Sequence, residues 1–302
     1  MCDTPPYSRR EFPECALQAD GNILLTRRFP VAIMILQITR YRLDITGGSM
    51  DIETLARTLA FRELQPDQAS GPGHPGDEQG QALNSLHPKD FIGNLVAERA
   101  NLILPDELNQ ASWDLMALAD VPRMGSYAIA ILLYAAVAAM PPGQVYLNIG
   151  VWHGFSLLAG MLARPQGTVI GVDNFSEFGG PKLAFKERFM RFCGPEHRFY
   201  DLDYVKYLRE IHQDPIGVYF YDGPHRELDQ SRGLELAHQH IAPGGLIFVD
   251  DTNLLKVQAP TLAFVHNHPE YRVIADFSTT HNCHPTWWNG LMILKKDETA
   301  PL

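Results

Sequence analysis

The chain has 302 residues, 45% hydrophobic and 20% charged, which is ordinary for a globular protein with one large domain and an accessory region. Its formal net charge of −10 argues against a nucleic-acid partner, because proteins that bind nucleic acids usually carry a basic face. No run reaches the roughly 18 apolar residues of a membrane helix, so we expect no membrane partner. The four cysteines show no CxxC spacing and are interpreted as reduced thiols of a cytoplasmic protein.

The N-terminal part of the chain is predicted to be an appendage followed by a helical accessory region. Residues 1–49 form the appendage, since the pattern of a folded unit begins near Met50, where Ser49 can cap a helix. Residues 50–122 form the accessory region. A stretch rich in Pro, Gly and polar residues interrupts it and predicts a flexible loop over residues 65–81.

Helical spacing of apolar residues continues from residue 88 to residue 140. The last run, 126–140, is apolar on all sides and predicts a buried helix. That helix could belong to the core or to a homo-oligomer interface.

After Gly143 the chain alternates between short apolar runs and amphipathic stretches. This alternation predicts an α/β fold, Rossmann-like and doubly wound, with a mostly parallel sheet. Two later runs predict a C-terminal antiparallel hairpin. The predicted strands cover 145–149, 168–172, 197–201, 217–222, 246–250, 271–277 and 290–296, and helices begin near Gly154, Pro181, Asp203 and Arg226.

In such a sheet, ligands bind at the carboxyl ends of the strands, where the strand order reverses. The first strand ends in Gly150 and Gly154, and the second ends in Asp173, at the spacing of a residue that binds ribose hydroxyls. Together these residues predict a nucleoside-bearing cofactor. Trp152 lies between glycines that are four apart, which does not match the pyrophosphate motif G-x-G-x-x-G. Tight packing and helix capping remain the alternative roles.

Carboxylates follow the fourth and fifth predicted strands. Asp222 ends one strand, with His225 nearby, and Asp250 and Asp251 end the next. These carboxylates would repel one another in a half-buried cleft unless a cation or a proton lies among them. Oxygen ligands favour Mg²⁺ first, then Mn²⁺ or Ca²⁺. Helix caps and surface acids are the alternative interpretation.

The remaining histidines and tryptophans are less informative. The pairs at 238 and 240 and at 266 and 268 are predicted to be surface residues, because a spacing of two does not place them on one helix face. Trp287 and Trp288, close to His281 and His284, could stack on a substrate or cover the hydrophobic core.

Five segments together resemble a known family. They follow, in order and spacing, the motifs of class I S-adenosylmethionine-dependent methyltransferases, and are most similar to the metal-dependent sugar O-methyltransferases of macrocin and novobiocin biosynthesis. The resemblance covers roughly residues 123–296 and implies a methyltransferase domain over 123–302. The segments are VYLNIGVWHGFS, GVDNFS, YFYDGPH, HIAPGGLIFVDDTN and WWNGLMIL.

The resemblance assigns expected roles to individual residues. It implies that the N-terminal helices form a lid and often an oligomer contact. Asn148 stands where the family usually has Glu, so it can hydrogen-bond to the cofactor but offers it no negative charge. The expected cofactor contacts are Gly150, Val151, Gly154 and Ser156 near the methionine part, Asp173 at the ribose and Asp203 beside the adenine, and the expected metal ligands are Asp222, Asp250 and Asp251.

The predicted reaction is transfer of a methyl group from S-adenosylmethionine to a hydroxyl of a small molecule such as a sugar. A bound Mg²⁺ or Mn²⁺ acidifies the hydroxyl, and a nearby base takes its proton. Pro224 replaces a carboxylate that is common in the family, so His225 is the candidate base beside Asp222. Three alternatives stay open: an NAD-dependent oxidoreductase, a metal-dependent hydrolase, and a degenerate methyltransferase fold that serves as a binding module.

Overall fold

A computed structural model of the chain describes residues 16–17, 23–24, 51–68 and 94–299. Most of the predicted appendage, together with Ser49, and most of the predicted loop over 65–81 lie outside the described residues. No helix in the described ranges is long and apolar enough to cross a membrane.

The described elements are named here in chain order. The strands are β1 (Ala16–Leu17), β2 (Ile23–Leu24), β3 (Ala60–Phe61), β4 (Leu102–Ile103), β5 (Val145–Ile149), β6 (Val169–Val172), β7 (His197–Tyr200), β8 (Ile216–Tyr221), β9 (Ile241–Asp250), β10 (Tyr271–Phe277) and β11 (Leu291–Lys296). The α-helices are α1 (Ile52–Thr58), α2 (Leu95–Asn101), α3 (Asn109–Asp114), α4 (Tyr127–Ala139), α5 (Phe155–Ala163), α6 (Lys182–Phe192), α7 (Tyr204–Glu210), α8 (Glu227–His238) and α9 (Leu255–Asn267).

The main sheet has the strand order β1-β2-β7-β6-β5-β8-β9-β11-β10. The strands from β7 to β9 pair in parallel, whereas β11 pairs antiparallel with both β9 and β10. The predicted doubly wound sheet and its C-terminal antiparallel pair are therefore confirmed. Because the chain moves outward from β5 to β7 and then returns to β8, the strand order reverses between β5 and β8.

Hydrophobic residues alternate between the two faces of this sheet. Tyr146 and Phe220 belong to the core under α4 and α5, and Leu147 and Tyr219 belong to the core under α7, α8 and α9. All residues of β5 and β8 are buried, as expected for parallel strands covered on both faces.

The accessory region packs onto the main domain. Leu55 of α1, Leu95 of α2 and Leu115 lie in the same core as α4, which is buried nearly all round and is capped by Ser126. The predicted buried helix over 126–140 is thus present within that core. At the other sheet edge, Ile23 of β2 pairs with Phe199 of β7, so part of the predicted arm extends the sheet.

The cysteine prediction needs a correction. Cys193 follows α6 and is disulfide-bonded, so the interpretation of all four cysteines as reduced thiols is wrong for this residue. Cys283 is buried.

Candidate active site

The glycine turn after β5 is shaped by contact with β8. Gly150 has a φ of +78°, and a Cβ at this position would lie 1.8 Å from the carbonyl oxygen of Asp222. Gly154 has a φ of +99° and precedes the first residue of α5. The turn therefore requires glycine partly because the ends of two neighbouring strands meet there.

The side chain of Asp173 stabilises this turn by accepting hydrogen bonds from backbone N–H groups of the turn. Its Oδ2 accepts the N–H groups of Val151 and Trp152, each at 2.9 Å, and its Oδ1 accepts the N–H of Phe175 at 2.6 Å. A nucleotide-binding turn offers such N–H groups to a phosphate. Here a carboxylate of the chain occupies them, which disfavours binding of a pyrophosphate and thus the oxidoreductase alternative.

Asn148 is fully buried, and its side-chain amide is hydrogen-bonded within the turn. Its Nδ2 donates to the carbonyl of Gly150 at 3.0 Å, which fixes the orientation of the amide. Its Oδ1 accepts the hydroxyls of Ser156 at 2.8 Å and Tyr146 at 3.1 Å. Asn148 therefore stabilises the turn by connecting it to the first turn of α5.

Asp222, His225 and Asp251 converge at the carboxyl ends of β8 and β9. We call these three residues the strand-end cluster. The imidazole lies between the carboxylates, with Nε2 3.5 Å from Asp222 Oδ1 and Nδ1 3.3 Å from Asp251 Oδ2. One candidate ligand atom from each residue lies within 4.8 Å of the other two, as ligands of one cation would.

The electrostatics of the strand-end cluster favour a positive charge between the carboxylates. Burial raises the pKa of Asp222 to about 6, although His225 acts in the opposite direction. Burial alone would lower the pKa of His225, but the carboxylates of Asp251 and Asp222 raise it to about 9. In this arrangement the imidazolium neutralises the two acids.

Asp250 differs from its neighbour Asp251. Its side chain is buried, and its Oδ1 has no hydrogen-bond partner among the described residues. Burial, followed by the charges of Asp222 and Asp251, raises its pKa well above the usual range. Asp251 adopts a φ of +62°. The structure thus groups Asp222 and Asp251 with His225 rather than with Asp250, and the metal role of all three aspartates stays a prediction.

A narrow cleft lies at the same strand ends. We call it the strand-end cleft; its walls include Arg123, Val151, Ser156, Asp222 and Asp250. Its volume is about 40 Å³, well below the roughly 300–1,000 Å³ of most small-molecule sites. A nucleoside-bearing cofactor therefore enters only if a wall moves.

Two contributions to this site were missed by sequence reasoning. Arg123 is buried beside the cleft and forms an ion pair with Glu98 of α2, which also accepts the N–H of Tyr127 at 2.8 Å. Asn289 donates to Asp251 Oδ1 at 2.8 Å. A single arginine between apolar runs was a weak sequence signal for Arg123. No feature of the neighbouring sequence indicates the role of Asn289.

The predicted adenine contact, Asp203, is exposed and caps α7 by accepting the N–H of Val205 at 2.9 Å. This is the helix-cap role considered for acids after strands. Its contact with adenine stays a prediction.

The aromatic segment before β11 covers the core. Trp287 stacks on Phe277 with ring centres 3.9 Å apart, and it is 2% exposed. His284 is fully buried, and its Nε2 lies 2.7 Å from the carbonyl oxygen of Gln68. Of the two roles left open for this segment, the structure shows core packing.

A larger cavity of about 480 Å³ lies between Phe61, Asp276 and Trp287, at the carboxyl end of β10 and two strands from Asp250. The wall of this cavity contains one carboxylate, whereas two carboxylates and an imidazole converge at the switch point of the sheet. We therefore place the site at the strand-end cleft.

Comparison with known proteins supports this placement. Residues 147–252 match the profile of a family described as a methyltransferase domain, a range that includes the glycine turn, Asp173 and the whole strand-end cluster. This part of the chain matches a methyltransferase domain. The predicted S-adenosylmethionine-dependent methyltransferase is thus confirmed at the level of this domain, whereas its sugar O-methyltransferase branch is not.

Solved structures similar to the chain include two methyltransferases. One is an O-methyltransferase from Bacillus cereus in complex with SAH, with 15% identity, a TM-score of 0.46 and coverage of 70% of this chain and 100% of that chain. Another is an SAH-bound methyltransferase from Podospora anserina, with 14% identity, a TM-score of 0.41 and coverage of 64% and 80%. No curated protein matches the chain.

Proposed function

We propose that the chain transfers a methyl group from S-adenosylmethionine to a hydroxyl oxygen of a small, sugar-like or natural-product-like molecule, with the help of a divalent cation. The observation that carries this proposal is the convergence of Asp222, His225 and Asp251 at the switch point of a methyltransferase domain.

The cofactor side of the proposal rests on the glycine turn. S-adenosylmethionine, when bound, supplies an electrophilic methyl group and carries no phosphate, which suits a turn whose N–H groups are already taken by Asp173. Gly150, Val151, Gly154 and Ser156 would lie along its methionine part. A carboxylate offers about four acceptor positions, so Asp173 retains one for a ribose hydroxyl after its three backbone contacts.

The donor set of the strand-end cluster fits a divalent cation. Asp222 and Asp251 offer oxygen atoms, and Asp250 Oδ1 is buried near them with no hydrogen-bond partner in the described part of the chain. Oxygen donors favour Mg²⁺ or Mn²⁺. Such an ion, when bound, acidifies and orients an acceptor hydroxyl.

The protonation state of His225 depends on the carboxylates of Asp222 and Asp251. In the structure, the carboxylates stabilise the imidazolium, so His225 holds a proton at neutral pH. If Asp222 and Asp251 held a cation, they would stabilise the imidazolium less. His225 would then accept the proton of the acceptor hydroxyl, which makes it the proposed base.

The first test is calorimetric titration with S-adenosylmethionine and with its demethylated product, each with and without Mg²⁺. We expect micromolar binding that weakens more than tenfold in Asp173→Ala. Asp276→Ala, which removes a carboxylate from the larger cavity, is the matched control. Absence of binding under every condition would overturn the proposed cofactor and favour a degenerate binding module.

The second test measures turnover on sugar, phenol and catechol acceptors. Formation of the demethylated cofactor should require both an acceptor and Mg²⁺ or Mn²⁺, and it should stop when a chelator is added. If turnover were the same with and without a chelator, the proposed need for a cation would be wrong. The proposed cofactor would be unaffected by that result.

A further inference from the structure

A second group of metal-ligating side chains lies on the opposite edge of the sheet. His238 is the last residue of α8, His268 follows α9, and Glu270 precedes β10. We call these residues the helix-end cluster. Because α8 and α9 run back from the ends of β8 and β9 that carry the strand-end cluster, their C-termini lie away from the proposed active site.

The distances within the helix-end cluster match those between ligands of one ion. Glu270 Oε1 lies 3.7 Å from His238 Nε2 and 3.6 Å from His268 Nδ1. Two ligands about 2.0–2.1 Å from a tetrahedral Zn²⁺ are about 3.3 Å apart, close to both distances. Both distances exceed that of a normal hydrogen bond, and the three candidate ligand atoms lie within 4.8 Å of one another.

The other nitrogen of each imidazole already has a partner. His268 Nε2 lies 3.1 Å from both carboxylate oxygens of Glu235, and His238 Nδ1 lies 3.2 Å from the hydroxyl of Tyr271. If these nitrogens carry the protons, His238 Nε2 and His268 Nδ1 present lone pairs to Glu270. A metal-bound histidine is oriented in this way, with its second ring nitrogen donating to a carboxylate or another oxygen.

The local charges also favour a cation. Glu235 and Glu270 bring two negative charges, and Lys296, which donates to the carbonyl of Ile241 at 2.9 Å, brings one positive charge. The C-termini of α8 and α9 add partial negative charge.

We propose that His238, His268 and Glu270 bind a divalent transition metal, Zn²⁺ first, independently of the catalytic cation. Two imidazoles and one carboxylate are nitrogen-rich ligands that Mg²⁺ avoids and Zn²⁺ prefers. The side chains are 18–28% exposed, so an ion can enter and a fourth position is open to water. The ion would tie the C-terminal ends of α8 and α9 to β10.

The test is a titration of the chelator-treated, metal-free full-length protein with Co²⁺ in excess Mg²⁺, which occupies oxygen-rich sites. We expect one Co²⁺ with the intense visible bands of four-coordinate geometry, displaced by Zn²⁺. His238→Ala and His268→Ala should weaken Co²⁺ binding more than about 100-fold, since loss of an outer partner alone costs about 10- to 100-fold.

Two control variants separate this site from others. His266→Ala removes an exposed histidine from the same helix, and Asp251→Asn alters the strand-end cluster; both should bind Co²⁺ as the unaltered chain does. Unchanged binding in His268→Ala, or loss of binding in Asp251→Asn, would overturn the proposal.

Glu235→Gln tests the site without removing a ligand. Its side chain is 49% exposed, so the fold should tolerate the change. We expect Co²⁺ affinity to fall by about 10- to 100-fold as the carboxylate that orients His268 loses its charge. Equal affinity would show that Glu235 does not orient a metal ligand, and absence of Co²⁺ binding in the unaltered chain would reduce the cluster to an ion-pair network.

Discussion

The strand-end and helix-end clusters combine the same residue types in opposite proportions. In the first, one imidazole lies between two carboxylates, and its pKa is raised to about 9. In the second, two imidazoles face one carboxylate, and the pKa of His238 is lowered, first by burial. The comparison teaches that two carboxylates outweigh the effect of burial on the imidazole pKa in the strand-end cluster, whereas burial and a second imidazole outweigh the carboxylates in the helix-end cluster.

The largest effect is expected when a carboxylate of the strand-end cluster is replaced, which tests the proposed difference between the two clusters most directly. We expect Asp222→Asn and Asp251→Asn to reduce methyl transfer by about 10³-fold, because each removes a charge worth several kcal/mol in the transition state. Initial rates at saturating Mg²⁺ measure the effect, with Asp276→Asn as the control. If His268→Ala abolished Mg²⁺ activation while Asp251→Asn did not, the proposed roles of the two clusters would have to be exchanged.

A second change tests the backbone contact that supports the strand-end cluster. Gly150→Ala should lower the free energy of unfolding by more than about 3 kcal/mol, since its Cβ would overlap the carbonyl oxygen of Asp222 at 1.8 Å. Gly143→Ala is matched to it, with a φ of +83° and no atom within 4 Å of the added Cβ. This control should lose only the left-handed strain of about 1–2 kcal/mol. Urea unfolding compares the two variants, and equal losses would contradict the clash.

A smaller effect is expected at Asn289, which orients Asp251. Asn289→Ala should weaken Mg²⁺ activation by about 10- to 100-fold, the usual cost of losing an outer partner of a metal ligand. The Mg²⁺ concentration that gives half-maximal activity measures this change. Asn282→Ala, at an exposed position in the same loop, should leave it unchanged, and equal shifts in the two variants would argue against a specific contact.

A histidine outside both clusters sharpens the comparison further. Burial, assisted by His240, lowers the pKa of His212 to about 4, so the unfolded chain binds the proton more readily between pH 6.5 and pH 4. Stability is therefore present above pH 6.5 and is lost as pH falls toward 4, by about 1–3 kcal/mol for this residue. Thermal unfolding at several pH values measures the loss. His212→Phe should reduce the acid sensitivity and His266→Phe should not; the same sensitivity in both would contradict the assignment.

The sequence predicts the strand ends well because the signals are local. β5 and β10 have the predicted bounds, and α5, α6, α7 and α8 each begin one residue after the predicted position. Apolar runs and capping residues lie next to the boundaries that they mark. Convergence of Asp222, His225 and Asp251 follows from the sheet topology.

The directions of individual side chains could not be predicted in this way. Asp173 turns onto the backbone of its own turn, and Asp250 and Asp251 diverge because Asp251 adopts a left-handed backbone. The helix-end cluster joins His238 and His268, which are 30 positions apart, and the interpretation of these histidines as surface residues did not foresee the contact. Such pairings depend on where helices end in space, and the spacing of residues along the chain does not contain that information.

The small volume of the strand-end cleft has a kinetic consequence. A bound cofactor would need this cleft of about 40 Å³ to open, and the segment around Arg123 is held in its wall by the buried ion pair with Glu98. Opening then precedes association, and only the open fraction of molecules captures the cofactor. The observed association rate should level off at high cofactor concentration, at the rate constant for opening. The Arg123–Glu98 ion pair would thus control how often a turnover begins, even though it never touches the methyl group.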